Sequence, residues 1–201
     1  METSNTGLGE VLSSPAFARL VLHFALHGHE PVHVRALQRR YGLSMSSLHR
    51  ELRRLERRGL VARATAGGRV LYRGVEEHPG WKALRELIRS FADPAEVVEA
   101  GISGVSGVDA AFVFGSFARG DARADSDVDV LVVGDGIAEN ALGRDVAETS
   151  VLLGRPVEIR AYTPSALRKQ LAAGNAVLQR IMAGPKRWIV GTEERLAAVS
   201  A

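Results

Sequence analysis

One stretch constrains this chain more than any other. From Ala110 it reads Ala-Ala-Phe-Val-Phe, then Gly115-Ser116, a charged connection through Arg119 and Asp121, and Asp127-Val128-Asp129 before Val130-Leu131-Val132-Val133. Two short apolar runs rich in β-branched and aromatic residues predict two strands. The first ends at Gly115-Ser116, the second carries Asp127 and Asp129, and a short helix fits between them. Residues two apart on a strand face the same way. Asp127 and Asp129 are therefore expected as neighbours on one face, with Val128, Val130 and Val132 turned into the core. Two carboxylates side by side repel one another unless a positive charge lies between them. A hard cation such as Mg²⁺ takes oxygen ligands and bridges to phosphates. A glycine at a strand end lets backbone approach a phosphate, the helix start behind it offers unpaired N–H groups, and Ser116 adds a hydroxyl. A cation site beside a phosphate cradle is the equipment of phosphoryl or nucleotidyl transfer.

The rest of the chain narrows the setting. With 201 residues it suits one large domain or two small ones. Charged residues at 24% and hydrophobic ones at 46% mark a globular rather than a disordered composition. The absence of cysteine excludes disulfides and thiolate metal sites and fits a reducing compartment. No apolar run approaches the roughly 20 residues of a membrane span. Met1–Gly9 lacks the basic region and apolar core of a secretion signal, so a cytoplasmic location without membrane attachment is expected. The net charge of +3 conceals a division: 15 Arg/Lys stand against 8 Asp/Glu through Phe91, and 11 against 15 beyond it. A basic half joined to an acidic half suggests a polyanion-binding part and a part that gathers carboxylates.

Local signals divide the basic half into elements. Ser14-Pro15 is a capping hydroxyl followed by proline at the first helical position, and Phe17, Leu20, Val21 and Phe24 follow at helical spacing up to Gly28. A second helix is expected from about His33 to Tyr41. Ser44 caps a third that runs to about Arg58. In it Met45, Leu48, Leu52 and Leu55 share one face, and Ser46, Arg50, Arg53, Arg54 and Arg57 share the opposite one. Two β-prone segments around Ala66-Gly67-Gly68 predict a hairpin over Leu60–Arg73. His23, His27, His29 and His33 are close enough in sequence to suggest a metal sensor, but only His23 and His27 share a helical face. They are read as helix-end and surface histidines.

This order of elements, carried by LSMSSLHRELRRLERRGLVAR and GGRVLYR, resembles a winged helix-turn-helix of the ArsR or MarR kind over roughly residues 12–75. The resemblance implies binding to double-stranded DNA and, as is usual for winged helices, a homodimer. Ser46, Ser47 and Arg50 would reach base edges, and Arg53, Arg54 and Arg57 would lie on phosphates. Arg63, Arg69 and Arg73 on the wing would add backbone or minor-groove contacts. The expected division is a DNA-binding domain over 12–78, a connecting amphipathic helix over 79–92 and a second domain over 93–191.

In that second domain GSFARGDARADSDVDVLV resembles the Gly-Ser and Asp-x-Asp signature of polymerase-β-like nucleotidyltransferases of the minimal type, over roughly residues 94–191. The resemblance implies an α+β chain overall: the winged helix-turn-helix followed by an α/β nucleotidyltransferase domain with a small mixed sheet. It implies Mg²⁺ or Mn²⁺ held by Asp127, Asp129 and a third carboxylate, matched in position by Glu158, where Asp is commoner in the family. Gly115, Ser116 and Arg119 would contact a nucleoside triphosphate, expected to be ATP. A nucleoside monophosphate would pass to an acceptor that the residues do not name. Minimal members often pair with a separate helical partner of the HEPN type, which this chain does not contain. Two other functions fit the same sequence: a transcriptional regulator whose second domain only senses nucleotide, and a DNA-binding scaffold with a degenerate second domain.

Overall fold

A computed structural model of the chain describes residues 8–12, 14–123 and 125–200. The chain divides into two units, Met1–Asp93 and Pro94–Ala201.

The first unit begins with α1 (Leu8–Val11) and α2 (Pro15–His27), then β1 (Val32–His33), α3 (Val34–Tyr41) and α4 (Met45–Arg57). The hairpin β2 (Val61–Ala66) and β3 (Arg69–Gly74) and the helix α5 (Gly80–Phe91) complete it. Ser14 accepts from Phe17 N at the start of α2, and Ser44 accepts from Ser47 N at the start of α4. Both caps satisfy amides that have no partner inside the helix. Gly67 and Gly68 both have positive φ, 55° and 71°, the pair of values that a two-residue hairpin turn demands. All three strands pair antiparallel in the order β1-β3-β2. The two-residue β1 was not expected from the sequence.

Helix α2 is buried nearly all round, through Phe17, Leu20, Val21, Leu22, Phe24 and Leu26. It packs against α1, α4, α5 and β3 and so forms the centre of the unit. That position corrects the reading of His23 as a helix-end or surface residue. His23 is 2% exposed, with Nδ1 3.0 Å from the Tyr41 hydroxyl. Burial holds its imidazole well below the usual value, and His27 and Arg40 push the same way. His33 does cap a helix, accepting from Arg35 N, and His29 is exposed beside Glu30. Helix α5 falls in the first unit: Trp81 is 2% exposed and its indole N–H donates to the Leu60 carbonyl at 3.2 Å.

The second unit runs α6 (Pro94–Ile102), β4 (Val108–Phe114), α7 (Gly115–Arg119), β5 (Val128–Gly134), α8 (Glu139–Leu153) and β6 (Val157–Tyr162). It closes with α9 (Pro164–Ala172), α10 (Ala176–Ala183), β7 (Arg187–Val190) and α11 (Glu193–Ser200). The sheet order is β6-β5-β4-β7, with β5 and β6 parallel and the other two pairs antiparallel. The unit is a mixed α/β fold with a small mixed sheet. Both faces of the central strands are covered. Ala110, Phe112, Leu131 and Val133 pack with Leu167, Leu178, Ile181 and Leu196 from α9, α10 and α11. Val128, Val130 and Val132 on the other face are fully buried. Strands buried on both sides read as continuous apolar runs, which is why Val128–Val133 alternates so little.

Candidate functional site

Strand pairing assembles the acidic cluster. Asp129 stands opposite Phe114 on β4 and opposite Glu158 on β6. Because side chains directly opposite share a face, Asp129 and Glu158 emerge together. Strand β5 begins at Val128, so Asp127 stands on the residue leading into the strand rather than within it. It still acts on Asp129. The Asp129 carboxyl is pushed above its ordinary value first by partial burial and then by the Glu158 carboxylate. Asp127 adds to that push, while Arg160 and Arg119 pull the other way.

Gly115 has a role beyond the one expected for it. Its φ is +72°, and a Cβ built there would collide with the Asp129 carboxylate. The missing side chain makes room for an acid of the cluster, on a backbone conformation that L-residues adopt reluctantly. Ser116 follows on the first turn of α7, and the Gly120 amide closes that helix by donating to the Ser116 carbonyl. Arg119 is exposed and its Nε donates to Asp121 Oδ2 at 3.1 Å. An exposed pair of that kind contributes little, on the order of 0–1 kcal/mol, so the guanidinium can be re-partnered at small cost.

Carboxylate oxygens are the ligands that a hard divalent cation takes, so Asp129 and Glu158 on one face, with Asp127 acting on Asp129, are the residues that would hold one. Two arginines near the cluster were not anticipated. Arg160 lies two positions after Glu158 on β6, and the strand's alternation was the available signal for it. Arg155, just before β6, donates to the Ser126 carbonyl at 3.2 Å, lies 3.5 Å from the Arg123 carbonyl, and stacks 5.2 Å from the centre of the Phe117 ring. No local pattern reveals a contact about thirty residues away.

On the first unit, Ser46, Arg50, Arg53, Arg54, Arg57 and Arg69 are exposed and Ser47 is half-buried. The Ser46 and Ser47 hydroxyls each lie 3.0 Å from the Ser44 hydroxyl. Not all the arginine heads point outward in the same sense. Glu51, buried beneath them, receives Arg50 Nε at 2.8 Å and lies 3.7 Å from Arg54. Arg54 also stacks 4.1 Å from the centre of the Phe17 ring, and Ser14 donates to Glu51. Arg53 Nε donates to the His49 carbonyl on its own helix. An open groove between α4 and the β2–β3 ribbon is lined by Ser46, His49, Arg53, Glu56 and Arg63. Nothing in the sequence alone marks His49 as part of that groove.

Among the described residues no helix is long and apolar enough to cross a membrane. Neither the curated proteins nor the solved structures include a match to this chain. A protein-family model described as a nucleotidyltransferase domain matches residues 99–182, from within α6 to within α10 and across every element that builds the acidic cluster, and the second unit thus carries a nucleotidyltransferase domain.

Proposed function

We propose that the chain is a Mg²⁺-dependent nucleotidyltransferase that moves a nucleoside monophosphate from a nucleoside triphosphate, ATP by expectation, to an acceptor hydroxyl. The observation that carries this reading is the register of Asp129 with Glu158, beside a glycine whose missing Cβ accommodates the Asp129 carboxylate. Asp127, Asp129 and Glu158 would hold Mg²⁺ or Mn²⁺, which when bound supplies charge neutralisation for the triphosphate. The amide and hydroxyl of Ser116 would donate to phosphate oxygens at the start of α7. Arg119 would exchange Asp121 for a phosphate. Glu158, together with Asp129, would accept the proton of the acceptor hydroxyl as its oxygen attacks the α-phosphorus. The bond to the β-phosphate oxygen breaks in line with that attack, and pyrophosphate leaves. Incubation with α-labelled ATP and Mg²⁺ tests the reading against Asp127→Ala/Asp129→Ala. Label transfer that survives the double change contradicts it.

The first unit supports a DNA-binding role beside this chemistry. Its helix α4, bearing an arginine stripe, is followed by a basic two-stranded ribbon, the order of a winged helix-turn-helix. Arg53, Arg57 and Arg69 would lie on DNA phosphates, with Ser46, Ser47 and Arg50 near base edges. A second reading rests on the same surface: a regulator in which nucleotide alters DNA affinity without being consumed. Nucleotide-dependent DNA binding with no pyrophosphate release would favour it.

A further inference from the structure

The connection between α7 and β5 delivers Asp127, yet it is an exposed loop. Its own hydrogen bonds are local: Arg123 N donates to the Ser126 hydroxyl at 2.8 Å, and Ser126 N donates to the Arg123 carbonyl at 3.1 Å. Those bonds shape the turn but attach it to nothing else. Asp121 ties the start of the loop to α7, its amide donating to the Ser116 carbonyl at 3.1 Å, and the Arg123–Ser126 turn is reached by Arg155, whose guanidinium spans the carbonyls of Ser126 and Arg123 and lies over the Phe117 ring of α7.

Arg155 is itself firmly placed. Helix α8 ends at Gly154 in the left-handed conformation, and the amides of Gly154 and Arg155 both donate to the Ser150 carbonyl. Ser150 Oγ in turn accepts from Val157 N at 3.1 Å. One residue further, the Pro156 carbonyl accepts from Val128 N at 2.9 Å, where β5 begins beside Asp127. A planar guanidinium suits this role because its flat face can stack on a ring while an N–H-bearing nitrogen at its edge reaches the two carbonyls.

Resting on the proposed reading of the acidic cluster as a cation site, we infer that Arg155 is a positioning residue for that site. It joins the helix that carries Gly115 and Ser116 to the loop that carries Asp127, and so fixes the spacing between phosphate cradle and acidic cluster. It touches neither substrate nor cation. Groups that orient the ligands of a metal typically alter its affinity by about 10–100-fold when removed.

Mn²⁺ binding to the full chain, followed by the paramagnetic resonance of the free ion, tests this alongside thermal unfolding. Arg155→Ala is expected to weaken Mn²⁺ binding by at least about tenfold at temperatures well below its melting point. Arg155→Lys should restore only part of that loss, and Phe117→Leu, which removes the stacking surface and keeps the hydrogen bonds, should cause a smaller one. Arg155→Ala binding Mn²⁺ as tightly as the unaltered chain, or melting earlier with unchanged affinity, overturns the inference. Should Arg155→Ala fail to fold, full affinity in both Arg155→Lys and Phe117→Leu overturns it equally. Absence of Mn²⁺ binding in the unaltered chain overturns the underlying site reading as well, and that result is distinct from the others.

Discussion

Glu51 in the first unit and Asp129 in the second are both carboxylates drawn back from solvent with arginines nearby, and their surroundings differ in kind. Glu51 receives Arg50, faces Arg54 and accepts from Ser14, so its charge is met on several sides and it braces α4 against the start of α2. Asp129 is set opposite Glu158 and close to Asp127, and the push from burial and like charge exceeds the pull of Arg160 and Arg119. The first arrangement is complete in itself. The second is short of positive charge, and a group left in that condition marks a place where a cation or a proton is taken up.

Removing each acid therefore should have opposite consequences. Asp127→Ala/Asp129→Ala is expected to lower nucleotidyl transfer by about 10²–10³-fold or more, the scale of several kcal/mol of charge stabilisation. Unfolding of the metal-free second unit should stay the same or move to higher temperature, since a crowded charge has been removed. Rate measurement and calorimetry on the same samples separate the two effects. Glu51→Ala should do the reverse, lowering the stability of the first unit by about 1–2 kcal/mol in denaturant titration and leaving transfer untouched. Equal loss of activity from both changes would erase the contrast.

The arginines of α4 differ from one another in the same way, with a smaller expected effect. Arg57 is exposed at the end of α4, whereas Arg54 is engaged with Glu51 and Phe17. Arg57→Ala should reduce the salt dependence of DNA binding by about one unit of log–log slope. Arg54→Ala should change that slope less and cost stability instead. Affinity measured over a series of salt concentrations distinguishes them.

Much of this was legible in the residues. Ser14-Pro15, Ser44 and Gly67-Gly68 each specify a local geometry through their own backbone or hydroxyl chemistry, and each forms as expected. The order strand, Gly-Ser, short helix, acidic strand was equally readable, because apolar runs and turn residues alternate cleanly there. What stayed hidden depends on partners distant in sequence. The strand β1 has two residues and exists only because β3 passes beside it. Helix α1 draws its stability from burying Leu8 rather than from any pattern of its own. Glu51 sits among arginines in sequence, and only packing against α2 turns it inward. His23 looked like a helix-end residue because nothing local says that α2 is covered on every side. Gly115 was readable as a backbone requirement, but its second function, leaving room for Asp129, needs the register of β4 and β5.

Asp129 is short of positive charge, which on the proposed reading a divalent cation supplies. With a folded value raised above the ordinary 3.8, ionisation of Asp129 opposes folding. Its favourable contribution is complete below 3.8 and is lost as pH rises through the raised folded value. Carbon-13 titration of the Asp129 side-chain carboxyl, without and with saturating Mg²⁺, reads this directly. A midpoint above the ordinary aspartate range is expected in the metal-free protein, falling when Mg²⁺ is added. An ordinary midpoint that Mg²⁺ does not move would contradict it.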